Sequence, residues 1–99
     1  MIPGYGSSRM REDVVASAAT ILLRGDLIRL TGTTQVDNMF SSINMGRDGL
    51  LVAIYTPDAG VTISAAGNVA VSVALATNRL YFYAFSSIAN KWIPHGTTP

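Results

Sequence analysis

The sequence predicts an all-β fold, a small antiparallel β-sandwich or jelly-roll-like domain behind an extended N-terminal arm. Three observations predict it. Short apolar and β-branched runs recur from Asp26 onward, and clusters of Gly, Pro, Asn and Asp separate them. No segment alternates with them at the helical period that parallel βαβ units require. Charged residues are only 13% of the 99, while hydrophobic residues are 48% and mean hydropathy is +0.32. An ordinary soluble domain carries roughly 25% charge, so part of this surface is expected to be covered by another subunit.

The elements follow in chain order. Residues 1–13, MIPGYGSSRMRED, hold Pro3, Gly4, Gly6, Ser7 and Ser8 and cannot bury a core, so an arm is expected over residues 1–18. Ile2, Tyr5 and Met10 give that arm apolar anchors. Residues 14–23, VVASAATILL, suit a short helix capped by Gly25 or an extended lead into a strand, and Thr20 and Ile21 favour the extended form. The folded domain is expected over residues 19–96, with a tail at 97–99. In Asp26–Thr31, Ile28 and Leu30 share one face. Gly49–Tyr55, GLLVAIY, is the continuous apolar run of a strand covered on both faces. Thr56-Pro57-Asp58-Ala59-Gly60 is a turn. Val61 and Ile63 alternate with Thr62 and Ser64 up to Gly67-Asn68, and Val69, Val71 and Val73 alternate after it. Leu80–Phe85 interleaves aromatics, and a polar turn leads to Lys91-Trp92-Ile93-Pro94. That makes six or seven strands.

Few residues offer chemistry. His95 is the single histidine, beside Pro94 and Gly96, and no third group is positioned to orient it as a base. Without cysteine there is no disulfide, thiolate nucleophile or thiolate metal site. One histidine among scattered carboxylates does not make a zinc site, so no catalytic residue, metal or cofactor is expected. Four of the five aspartates stand beside glycine or in turn-like contexts, where a carboxylate caps backbone. Gly4-Tyr5-Gly6 lacks the third glycine of a dinucleotide loop. Arg24-Gly25-Asp26 spells an adhesion tripeptide but stands where a turn is wanted. A net charge of +1 argues against nucleic acid, and the small basic cluster Arg9 and Arg11 is offset by Glu12 and Asp13. No apolar stretch reaches the roughly 18 residues of a membrane span. No export signal is visible. Phe82 is expected in the core, with Tyr81, Tyr83 and Phe85 on the opposite face. That face is read first as a subunit interface, with a sandwich core and a carbohydrate platform as the alternatives.

Several segments together carry a resemblance. Asp26-Leu27-Ile28-Arg29-Leu30-Thr31-Gly32-Thr33-Thr34 is followed by Ile43, then by Gly46-Arg47-Asp48-Gly49 leading into Leu50–Ile54. Gly60-Val61-Thr62-Ile63, Gly67-Asn68-Val69 and an aromatic strand, turn and Trp92 close the series. In this order they resemble a small β-domain of tailed-phage virion proteins, over about residues 20–95. Such domains occur in tail fibres and tailspikes and as head decoration, or cement, proteins. The resemblance implies a homotrimer clamped onto the virion, made in the host cytoplasm, with the major capsid protein as partner. A chain running only from Met1 to Pro99 is read as one complete domain, which favours decoration of the capsid exterior. Ile2, Tyr5, Arg9, Met10 and Arg11 are then the expected capsid contacts, and Tyr81, Tyr83 and Phe85 the subunit interface. The alternative is a trimeric tail module that binds host surface carbohydrate. Ile93-Pro94-His95-Gly96 departs from the family's closing strand and suggests an edge strand blunted by Pro94.

Overall fold

A computed structural model describes residues 11–41 and 50–95. Nine strands are present among them: β1 (Glu12–Ala16), β2 (Thr20–Leu23), β3 (Leu27–Thr31), β4 (Asn38–Ser41), β5 (Leu51–Tyr55), β6 (Thr62–Ile63), β7 (Val73–Ala74), β8 (Tyr81–Ser86) and β9 (Lys91–His95). No helix occurs among the described residues. The fold is all-β.

The strands form a five-stranded sheet in the order β1-β3-β5-β8-β9 and two-stranded sheets β2-β4 and β6-β7. The expected antiparallel arrangement is corrected to a mixed one. β1 and β5 both run parallel to β3, and β2 runs parallel to β4, whereas β5-β8, β8-β9 and β6-β7 are antiparallel. The parallel pairs need no crossover helix, because the chain leaves the large sheet after β1 and β3, adds β2 or β4 to the facing sheet, and returns. It therefore winds as a flattened coil, and the β8-β9 hairpin extends the large sheet at the far side. Period-two patterning fixes which residues face the core but not which way a strand runs, so it leaves this winding invisible.

The inner faces of the two sheets meet in one core, with Ile21, Leu23 and Met39 from one side against Ile28, Leu30, Val52 and Ile54 from the other. The segment expected as an arm over 1–18 contributes to this architecture. Residues 12–16 are β1, Ser17 N donates to Thr31 O at 2.7 Å, and the Arg11 carbonyl accepts from Asp26 N and Leu27 N at 2.9 and 3.1 Å. Arg24-Gly25-Asp26 is the turn between β2 and β3. A Cβ on Gly25 would collide with the Arg11 carbonyl oxygen, so close backbone approach explains this glycine. At the β8-β9 turn Asn90 adopts φ 56°, a conformation asparagine tolerates better than most residues.

Asn68 ties the layers together. Its side chain accepts from Met39 N at 2.8 Å and donates to Met39 O at 2.7 Å, and its carbonyl accepts from Trp92 N at 2.8 Å. Trp92 Nε1 donates to the same Met39 carbonyl at 2.9 Å. The expected strand over 69–74 is reduced to β7, with Val69 bridging Trp92.

A second correction concerns the aromatic strand. Tyr81 and Tyr83 point into the chain's own core, where Tyr83 is 0% exposed, and Phe82 lies on the outer face instead. Phe85 is half-buried against Trp92 in an edge-to-face contact, with ring centroids 5.4 Å apart. The register explains the phase: Tyr83 stands opposite Val52 and Tyr81 opposite Ile54, both core residues. A subunit interface cannot use side chains already covered by their own domain, so Tyr81 and Tyr83 leave the expected interface.

Candidate interaction surface

The large sheet packs one face on the core and turns the other outward. Cross-strand register orders this outer face into rows. One row reads Glu12, Leu27, Ala53, Phe82 and His95 across β1, β3, β5, β8 and β9. A neighbouring row reads Leu51, Ala84 and Ile93 across β5, β8 and β9. Leu51 is 51% exposed and Ile93 40%, so two large apolar side chains stand in water on this one row. Ala53, flanked in register by Leu27 and Phe82, is buried at the centre. The run expected to be covered on both faces is so covered at its centre, Val52, Ala53 and Ile54, while Leu51 at its start is exposed.

The β1-β3-β5 part of the face carries a polar ladder. Tyr55 Oη donates to Glu12 Oε2 at 2.5 Å, and Arg29 Nη1 donates to Tyr55 Oη at 3.5 Å. The Arg29 guanidinium also stands 5.8 Å from the centroid of the Tyr55 ring, within cation-π range. The hydrogen bond to Tyr55 raises the Arg29 pKa above its ordinary value, and burial acts weakly against it. A carboxylate and a guanidinium thus share one phenol, which donates to the first and accepts from the second.

The expected site residues are scattered. Ile2, Tyr5, Arg9 and Met10 lie outside the described residues, and Arg11 is exposed just before β1. His95 is exposed on the edge strand β9. Asp58 Oδ2 accepts from Gly32 N at 2.7 Å and Asp37 Oδ1 from Gln35 Nε2 at 2.8 Å, so both carboxylates serve local backbone and side-chain chemistry. Among the described residues no group of three or more His, Asp or Glu could hold a metal ion, and no helix is long and apolar enough to cross a membrane. A groove of about 310 Å³ opens between Met39, Phe40, Asn68, Phe85 and Trp92, and its rim includes Ser41 and Leu50.

The residues that sequence reasoning missed are Leu51, Ala53, Phe82, Ala84 and Ile93. A signal for them exists in the alternation Tyr81-Phe82-Tyr83-Ala84. Alanine in the same phase as Phe82 marks a face with less volume to fill, whereas the tyrosines keep company with core residues on β5. The chain matches no family model, no curated protein and no solved structure.

Proposed function

We propose that this chain is a non-enzymatic structural protein of a phage virion, a cement protein that binds the outside of the head as a homotrimer and stabilises the shell. The observation that carries the reading is the uncovered outer sheet face, where Leu51 and Ile93 stand exposed around a buried Ala53 on a chain with 13% charge. A low-charge domain with such a face fits life against other protein chains better than life as a free monomer. The segment pattern of phage β-domains supplies the identity of those chains: the major capsid protein and two further copies. Ile2, Tyr5, Arg9, Met10 and Arg11, immediately before β1, would reach the capsid.

Stabilisation would follow from mass action. A ligand that binds the assembled shell and not free subunits shifts the equilibrium toward the shell. Three linked copies on a three-fold position add avidity without any new contact. The rival reading, a carbohydrate-binding tail module, loses the tyrosines of its expected platform, since Tyr81 and Tyr83 are buried.

Co-sedimentation with mature heads tests the proposal. The protein should pellet with capsids at a saturable stoichiometry and raise the temperature at which they release DNA. No pelleting, together with unchanged thermal release, overturns it.

A further inference from the structure

We draw no further inference here: the strongest candidate, the apolar groove of about 310 Å³ between Met39, Phe40, Phe85 and Trp92, carries nothing because nothing in the structure shows what covers it.

Discussion

Tyr83 fills the centre of the core, yet its hydroxyl has no hydrogen-bond partner among the described residues. A buried polar atom left unpaired costs free energy that an isosteric apolar group does not. Tyr83→Phe is therefore expected to keep the fold and to leave stability unchanged or higher by up to about 1 kcal/mol. A loss of more than that in urea unfolding would show that the hydroxyl has a partner. Burial raises the Tyr83 pKa above its ordinary value, with a smaller push from Tyr81. The folded protein thus holds this proton to higher pH than the unfolded chain. Its contribution is complete below the unfolded value of about 10 and is lost as pH rises beyond it. Unfolding free energy should fall above pH 10, and Tyr83→Phe should flatten that fall. Asn68 makes the opposite case. Met39 N donates to its side chain, Met39 O accepts from it as well as from Trp92 Nε1, and Met39 is fully buried, so Asn68→Ala, which takes away the acceptor of the Met39 N–H, should cost about 1–3 kcal/mol. Gly25→Ala should also destabilise, because the added Cβ meets the Arg11 carbonyl that receives two backbone donors. Neither Asn68 nor Gly25 announces its role in sequence beyond a turn signal. Their partners lie 29 and 14 residues away, in register that only the winding of the coil creates.

β1 shows what an element can hide. EDVVA reads as the charged end of an arm, since Glu12 and Asp13 stand beside Arg9 and Arg11 and only three apolar residues follow. Its strand identity comes from β3, with which all five of its residues pair. By contrast β3, β5 and β8 are legible from their own apolar runs, though the phase of β8 is not, because aromatics occupy both of its faces. The strands most exposed to misreading are those whose order depends on a distant neighbour, as propensity for the sheet is mostly a matter of packing context. Truncation separates the parts. Removing residues 1–10 leaves β1 whole and should leave the urea midpoint nearly unchanged while weakening capsid binding. Removing residues 1–18 deletes β1, opens the β3 edge and uncovers one side of Ile28 and Leu30. That shorter chain should unfold at markedly lower urea and aggregate, because an unguarded apolar edge invites pairing between molecules. Equal stability of the two truncated chains would remove β1 from the cooperative unit.

For the molecule as a whole, an all-β fold follows from patterning, while strand direction and the identity of the free face follow from topology. β1 and β3 pair 15 residues apart in sequence and β3 and β5 26 apart, so in the large sheet local pairing is confined to the β8-β9 hairpin. The same scale decides what kind of force holds copies together. With 13% charge and Leu51 and Ile93 exposed on the outer sheet face, association should draw mainly on apolar burial. Raising sodium chloride from about 50 to 500 mM shortens the screening length from roughly 14 to 4 Å, which removes long-range attraction between exposed charges. The mass measured by light scattering should change little over that range. Sodium sulfate, which strengthens apolar burial, should shift the equilibrium toward the complex. Titration calorimetry of dilution should give a heat capacity of association that is negative, the mark of apolar surface leaving water. Dissociation driven by sodium chloride alone would assign the contact to charged groups and away from apolar surface.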